Sequence, residues 1–160
     1  MKFIVVDTRE KPKAIQSILA EFDKQGIEHI SSKLPFGDYM DWNRPGIVID
    51  RKQTIAELAK NCTSEQARFR REIELSHKAG SKLVILVEQN KYKAGDRWIQ
   101  VKELSDIILW SNKYTSISGE KVFRVLSSWV YRYNIQVKFC DKRTTGKEIL
   151  KILYEERLSK

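Results

Sequence analysis

The chain has 160 residues, 41% of them hydrophobic, which is enough for one sizeable core but hardly for two. Thirty Lys and Arg against 21 Asp and Glu give a formal charge of +9, which favours a polyanionic partner. No apolar run approaches the ~20 residues of a spanning helix and no signal peptide precedes Asp7, so we expect no membrane partner. Cys62 and Cys140 lack the spacing of a zinc site and are expected to be free, reduced thiols.

Strands and helices alternate along the sequence, which predicts a layered α/β sheet. The first half is predicted to contain a strand from Lys2 to Asp7, a helix from Lys13 to Lys24, a strand near Glu28 to Lys33 and a strand from Asp38 to Asp41. Residues 42–46 include Pro45 and Gly46, and there the chain is expected to reverse. The apolar run 46–49 that follows is predicted to be a strand covered on both faces, because three β-branched residues stand in succession.

The second half continues the alternation. It is predicted to contain a short helix with Ile55 and Leu58, a longer helix opening at a Thr63 to Gln66 capping box, and a strand from Lys82 to Val87. An amphipathic helix through residues 122–130, a strand from Ile135 to Phe139 and a last helix capped by Thr145 and Glu148 complete the chain. Residues 90–118 are the least regular stretch, with one helix expected near Glu103 to Trp110.

Two acids and a lysine at the end of the apolar strand carry the functional prediction. Asp50 and Lys52 leave a strand on one face, and Arg51 leaves on the other. If the loop between the strands has an odd number of residues, Asp38 lies directly across from Asp50, at about 5 Å. Two carboxylates so close destabilise a sheet unless a cation or a proton lies between them. A hard divalent cation such as Mg²⁺ or Mn²⁺ meets that need.

Such a group fits phosphodiester hydrolysis. A metal held by Asp38 and Asp50 would neutralise the charge that builds up on the phosphate and acidify a water molecule. Lys52 can orient the water, help to deprotonate it, or stabilise the charged transition state. The alternative is an ordinary surface hairpin in which Asp38 forms a salt bridge with Arg51 or Lys52, because the pattern is loose when taken alone.

Four motifs in register resemble the XPF family of structure-specific DNA nucleases, within the restriction-enzyme-like superfamily. Val6-Asp7-Thr8-Arg9-Glu10 resembles the V-D-x-R-E element, Gly37-Asp38 the G-D element and Asp50-Arg51-Lys52 the E-R-K element. Arg68-Phe69 is similar to the next segment, and the strand from Lys82 to Glu88 is similar to the next core strand. The resemblance implies a central mixed β-sheet flanked by helices on both faces, as in restriction-endonuclease-like nuclease cores.

The resemblance implies a catalytic set, a metal-binding set and a DNA-binding set. The catalytic set is Asp7, Glu10, Asp38, Asp50 and Lys52, and the metal ligands are Asp38, Asp50 and Asp7. The DNA-binding set is Arg9, Arg51, Arg68 and Arg71. For Arg9 and Arg51 the alternative is to lock the acids by hydrogen bonds, and for Arg71 it is an exposed helix face with acidic neighbours.

Two positions depart from the family pattern. Asp50 stands where the family has glutamate, although the wider superfamily accepts either acid. Ala56 stands where the family usually has an aspartate, and whether the neighbouring Glu57 replaces it is left open.

The predicted function is metal-dependent cleavage of DNA near branches, flaps or forks, in repair or recombination. We expect one nuclease domain over residues 1–160, without the tandem helix-hairpin-helix module of many family members, acting as a homodimer or with a separate DNA-binding partner. The expected compartment is the cytoplasm in a bacterial or phage context, or the nucleus in a eukaryote. The rival functions are a catalytically silent scaffold that binds branched DNA, and a nuclease with other nucleic-acid substrates.

Overall fold

The structure, a computed structural model, describes residues 1–155 and is built on a six-stranded mixed sheet. The strands are β1 (Phe3–Val6), β2 (Glu28–Ser31), β3 (Tyr39–Asp41), β4 (Arg44–Lys52), β5 (Lys82–Val87) and β8 (Gln136–Phe139), with β6 (Lys91–Ala94) and β7 (Arg97–Gln100) forming a separate hairpin. The sheet order is β2-β1-β3-β4-β5-β8. β3 is antiparallel to both of its neighbours, and the other pairs are parallel.

Within residues 1–155, five α-helices cover the two faces of this sheet. They are α1 (Gln16–Lys24), α2 (Ile55–Asn61), α3 (Gln66–Lys78), α4 (Gly119–Tyr133) and α5 (Thr145–Tyr154). The apolar side chains of α2, α3 and α4 form one hydrophobic cluster with Val48, Leu83 and Ile85. Those of α1 and α5 form a second cluster with Ile47 and Ile49. Because side chains alternate along β4, this strand contributes to the hydrophobic clusters on both faces of the sheet. The predicted fold class is confirmed.

The turn before β4 is shorter than the sequence suggested. We expected residues 42–46 to form the reversal, but β4 already begins at Arg44 and includes Pro45 and Gly46. Pro45 lacks an N–H to donate, and its carbonyl accepts a hydrogen bond from the Ser81 hydroxyl at 2.8 Å. Only Trp42 and Asn43 remain between the strands.

An irregularity in β3 sets the register of the site. At the turn, Asp41 pairs with Arg44, but after a shift between Met40 and Asp41 the partner of Tyr39 is Ile49. The amide of Asp38, the residue before β3, donates to the Ile49 carbonyl at 2.7 Å and so keeps the chain beside β4 past the last paired residue. Asp38 therefore lies opposite Asp50. Without the shift, the register at the turn would have placed it opposite Ile47.

Two predicted capping boxes are wrong. The Thr63 hydroxyl donates back to the Ala59 carbonyl at 2.9 Å, so this residue closes α2 instead of opening α3. Thr145 is the first residue of α5, and its hydroxyl donates to Glu88 at 2.6 Å. In both cases a partner nearby in the fold competes for the hydroxyl that a local pattern had assigned to a helix start.

Residues 90–118 are more regular than expected. They contain the β6–β7 hairpin, which the sequence analysis missed, and a 3-10 turn at Leu104–Ile107 where a longer helix was predicted. Gly95 opens the hairpin turn with a φ of +62°, a conformation that glycine adopts without steric cost. In the described part of the chain, no helix has the length and apolar character needed to cross a bilayer.

Candidate active site

The candidate site begins at Gly37, the residue before the first acid. Its φ of +73° lies in the left-handed region, and a Cβ atom there would come within 2.2 Å of Val48 Cγ1. Its amide donates to Glu72 Oε1 on α3 at 2.8 Å, and its carbonyl accepts from Arg9 Nη2 at 3.4 Å. Glycine is required because the loop passes directly over β4. This close approach holds Asp38 against the end of that strand.

Asp38 and Asp50 form a pair of carboxylates side by side, which we call the aspartate pair. The carboxylate of Asp38 accepts a hydrogen bond from the Arg51 amide at 2.8 Å. The pKa of Asp38 lies well above its usual range, first because the carboxyl is buried and then because the negative charges of Asp50 and Glu10 are close. Asp50 is 5% exposed, and its Oδ2 atom forms an ion pair with Lys52. The predicted convergence of the two acids is present.

Lys52 places a cation beside the pair, on the same face of β4. Its Nζ lies 3.0 Å from Asp50 Oδ2 and 4.6 Å from the centre of the Phe69 ring. Burial alone would lower the pKa of Lys52, but the charge of Asp50 and its hydrogen bond outweigh burial, so the pKa is raised. The ammonium group is therefore a fixed positive charge at neutral pH.

Arg51 points to the opposite face of β4, as the alternation predicted, and forms what we call the arginine cluster. Its Nε and Nη2 donate to the two oxygens of Glu10, each at 2.8 Å, and its Nη1 donates to Glu88 at 2.5 Å. The Thr145 hydroxyl occupies the other oxygen of Glu88. Only 5% of the Arg51 side chain is exposed. The structure thus encloses Arg51, predicted to bind DNA, among these three side chains.

Asp7, predicted as a metal ligand, has both of its carboxylate oxygens occupied by hydrogen bonds. The Leu34 amide donates to its Oδ1 at 2.7 Å, and both the Arg9 amide and Arg9 Nε donate to its Oδ2. Burial would raise the pKa of Asp7, but the hydrogen bonds from Leu34 and Arg9 outweigh it and lower the pKa. The carboxylate is fully buried, and it holds the Arg9 side chain, which is 59% exposed.

An open cleft surrounds the aspartate pair at the carboxyl end of β4. Its lining consists of Arg9, Glu10, Lys11, Ala14, Asp38, Asp50, Arg51, Lys52, Gln53, Glu57, Asn61, Glu65, Arg68 and Glu72. Six of these residues are acidic and five are basic. The lining is therefore not itself basic, in contrast to the chain as a whole, and a phosphate entering the cleft would meet unneutralised carboxylates.

The predicted site residues divide between the cleft and other places. Glu10 lines it and is held by Arg51, and Arg68 lines it while forming an ion pair with Glu65 at 3.0 Å. Arg71 is exposed on α3 and is not among the lining residues. Glu57 is at the cleft, where its Oε2 accepts from the Gln53 amide at 2.9 Å.

Three cleft or support residues escaped the sequence analysis as site members. Glu72 holds the Gly37 loop, and its only local signal is its position one helical turn after Arg68. Asn61 is 3% exposed, lines the cleft and has an unpartnered Oδ1 atom. Glu88 supports Arg51 and stands at the carboxyl end of β5, where charged residues of parallel strands meet.

The oxygen donors at the cleft are of the kind that a hard divalent cation prefers, but they are too few to complete its coordination. The paired carboxylates supply oxygen donors suited to Mg²⁺ or Mn²⁺. Within residues 1–155, no three His, Cys, Asp or Glu side chains are grouped so that they could hold a metal. Mg²⁺ is commonly held by one or two carboxylates, with water and substrate phosphate completing its coordination. The pair therefore suits an ion that the substrate helps to bind.

Comparisons with known proteins agree with the motifs. The sequence pattern described as the ERCC4 domain matches residues 6–153. XPF from Aeropyrum pernix superposes with a TM-score of 0.63 and 20% identity over 92% of this chain and 61% of that one. The structure of XPF from Aeropyrum pernix in complex with DNA gives a TM-score of 0.65 and 20% identity over 100% of this chain and 68% of that one.

This chain thus spans 61% of the length of the first XPF structure and 68% of the second. None of the curated proteins compared with the chain matches it. The two structural matches confirm the fold, and together with the domain match they confirm the XPF resemblance that the motifs indicated.

Proposed function

The chain belongs to the ERCC4 domain family, and from this premise we propose that it is a divalent-metal-dependent endonuclease that cuts DNA near branches, flaps or forks. The family match supports a family of structure-specific DNA endonucleases. We propose, beyond this match, the metal, the branched substrate and a role in repair or recombination.

The observation that carries the proposal is the aspartate pair beside Lys52 in an open cleft. Two neighbouring carboxylates with little exposure cost folding free energy, since the charge of Asp50 disfavours the charged form of Asp38. A purely structural site would be expected to satisfy them, as the arginine cluster does for its own two acids. An arrangement that leaves two acids side by side with only one lysine paired to them suits the binding of a further cation.

Asp38 and Asp50 would hold Mg²⁺ or Mn²⁺, with Glu10 as a further carboxylate at the cleft. When bound, the cation would neutralise charge on the scissile phosphate and acidify water. Lys52 contributes a fixed ammonium group, which stabilises the negative charge that accumulates on the phosphate. Its raised pKa favours this role over that of a general base.

The arginines divide into two kinds in this proposal. Arg9 and Arg68 line the cleft with largely exposed side chains, and we assign them to the phosphates that flank the scissile bond. Asp7 acts as a positioning residue for Arg9, because its carboxylate holds the arginine Nε. Arg51 positions Glu10, and Arg71 makes at most a peripheral phosphate contact.

The DNA assignment has two supports. The excess of 30 basic over 21 acidic residues favours a polyanion, and the similar XPF of Aeropyrum pernix has been determined in complex with DNA. The branched substrate is taken from the family alone.

The test is cleavage of labelled flap, fork, four-way junction, duplex and single-stranded DNA, with matching RNA, in Mg²⁺, Mn²⁺ or EDTA. We expect metal-dependent nicking of branched DNA that Asp50→Asn reduces by roughly a hundredfold or more, the scale for removing one electrostatic group from an active site. Binding in EDTA should survive this substitution, since the flanking arginines are unchanged. Mg²⁺ should raise the melting temperature of the wild type but not that of Asp50→Asn.

Asp23→Asn is the matched control. Asp23 is an exposed aspartate on α1, paired with His29 and outside the cleft, so its loss should leave cleavage unchanged. Cutting by Asp50→Asn at the wild-type rate would remove Asp50 from the mechanism. Binding to branched DNA without any metal-dependent cutting would instead support a silent scaffold.

A further inference from the structure

The β6–β7 hairpin presents an aromatic and basic surface that the cleft does not use. Lys93 pairs with Trp98 across the two strands, and Lys91 pairs with Gln100. Side chains alternate along a strand, so these four residues share one face, and all four are exposed. The Trp98 side chain is 59% exposed. We call this surface the hairpin face.

The other side of the hairpin is fixed to the protein. Tyr92 is 5% exposed and belongs to the hydrophobic cluster under α2, α3 and α4, against which Ile99 also packs. The Tyr92 hydroxyl donates to the Asp106 carbonyl at 2.6 Å. The hairpin is therefore held by its inner side, and exposure of Trp98 is not required by packing. A large apolar ring left in water on a fixed support is typical of a binding surface.

The charges of the hairpin face define the partner. Lys91 and Lys93 place their Nζ atoms 5.3 and 5.7 Å from the centre of the Trp98 ring, and the face carries no acidic residue. An aromatic ring flanked by cations suits a molecule with flat, stackable groups and regularly spaced negative charges. Unpaired nucleotides have both, because each base stacks through its π-face while each phosphate carries a negative charge.

The hairpin stands at the same edge of the sheet as the cleft. The Glu88 amide donates to the Lys52 carbonyl at 2.8 Å, and Gln89 accepts from the Ile55 amide and donates to the Lys91 carbonyl. One side chain thus links the base of the hairpin to the start of α2, immediately after the cleft residues. Trp98 precedes Gln100 by two residues and therefore lies about 7 Å along β7 from the base of the hairpin.

We propose that the hairpin face binds a single-stranded segment of nucleic acid next to the cleft, with Trp98 stacking on a base and Lys91 and Lys93 contacting phosphates. The inference rests on the proposed nuclease function and extends it, because a flap or fork presents unpaired nucleotides beside a duplex. The face thus favours substrates that carry a single-stranded arm.

The test measures binding alone, in EDTA and on the Asp50→Asn background, so that no cleavage contributes. Fluorescence anisotropy would compare an oligothymidylate of about 15 nucleotides, its RNA counterpart and a duplex of the same length. We expect Trp98→Ala to weaken oligothymidylate binding by about fivefold to a hundredfold and Trp98→Phe to recover most of it. Duplex affinity should stay within about twofold, because stacking needs an unpaired base.

Trp42→Ala is the matched control. Trp42 is 66% exposed at the β3–β4 turn, beside the amino end of β1, and should not affect binding. Replacing both Lys91 and Lys93 with alanine should lower the slope of log affinity against log salt concentration by about 1.4, since each single-strand phosphate contact contributes about 0.7.

The outcomes separate the two proposals. If Trp98→Ala binds oligothymidylate as the wild type does, or Trp42→Ala weakens binding equally, the hairpin face is not the single-strand site, whatever the cleavage assays show. If Trp98→Ala weakens binding as expected while no substrate is cut in Mg²⁺ or Mn²⁺, the face is supported and the nuclease proposal fails. Equal loss on DNA and RNA would support recognition of single strands through base and phosphate.

Discussion

The end of β4 carries two groups of charges on opposite faces, and they differ in how completely they are satisfied. In the arginine cluster, Arg51 donates three hydrogen bonds to two acids, and Thr145 occupies a further oxygen of Glu88. In the aspartate pair, two acids lie side by side, and a single lysine forms an ion pair with Asp50 Oδ2 at 3.0 Å. Both groups contain two carboxylates and one cation.

The arginine cluster is the structural group of the two. A buried charge whose hydrogen bonds are all made is held in one geometry, and losing one member leaves the others uncompensated. A buried like-charge pair lowers stability until a cation binds. Removing the charge of one member should therefore lower the unfolding free energy at the arginine cluster and raise it at the aspartate pair.

The largest effect on stability is expected at the arginine cluster. Arg51→Met keeps most of the side-chain volume but leaves Glu10 and Glu88 without their buried partner, which should cost about 3–5 kcal/mol of unfolding free energy. Urea denaturation followed by circular dichroism would measure it. Arg68→Met is the control, because its ion pair with Glu65 is largely exposed and should contribute less than about 1 kcal/mol. Equal losses in the two variants would contradict the structural role of Arg51.

At the aspartate pair, removing a charge should raise the unfolding free energy instead of lowering it. In EDTA at neutral pH, Asp38→Asn should raise the unfolding free energy, because it removes a charge that the fold disfavours. Chemical denaturation of wild type and variant across a pH series is the measurement.

The pH dependence of the unfolding free energy follows from the raised pKa of Asp38. The folded state holds this proton more tightly than the unfolded state, so the wild type loses stability as pH rises from about 3.9 through the folded pKa. The increase in unfolding free energy caused by Asp38→Asn should therefore be absent at acidic pH and grow toward neutral pH. Saturating Mg²⁺ should reduce the gain, because only the wild type keeps both carboxylates. A gain independent of pH would contradict an electrostatic origin.

The smallest effect is expected at Glu57. Its carboxylate accepts from the Gln53 amide and lies near Lys52, but it is exposed and is one position away from Ala56, where the family usually has aspartate. Glu57→Gln keeps an acceptor oxygen, so we expect metal-dependent cleavage to fall by less than about tenfold, the lower end for residues that support a metal site. Initial rates on the best branched substrate would measure this. A loss as large as that of Asp50→Asn would make Glu57 a functional replacement for the missing aspartate.

Much of the fold could be predicted because its signals are local and strong. The strand Lys82–Val87 has its predicted bounds. Helix α1 ends at Lys24, as predicted, and Gly26 beyond Gln25 has the left-handed conformation. The hairpin of residues 91–100 was missed because its apolar residues are few and its strands are four residues long. A glycine followed by aspartate between two alternating segments was the available signal.

The sequence by itself determined that Asp50 and Lys52 share a face opposite Arg51, because alternation along a strand depends only on neighbouring residues. It also determined that helices cover both faces of the sheet, through the apolar runs of β4 and β5. Only the tertiary structure decided that Asp38 lies across from Asp50, since this depends on a register shift in β3 that no local pattern encodes. The tertiary structure also decided that Asp7 and Arg51 are enclosed by hydrogen bonds, because their partners Leu34 and Glu88 are distant in the chain and adjacent only in the fold.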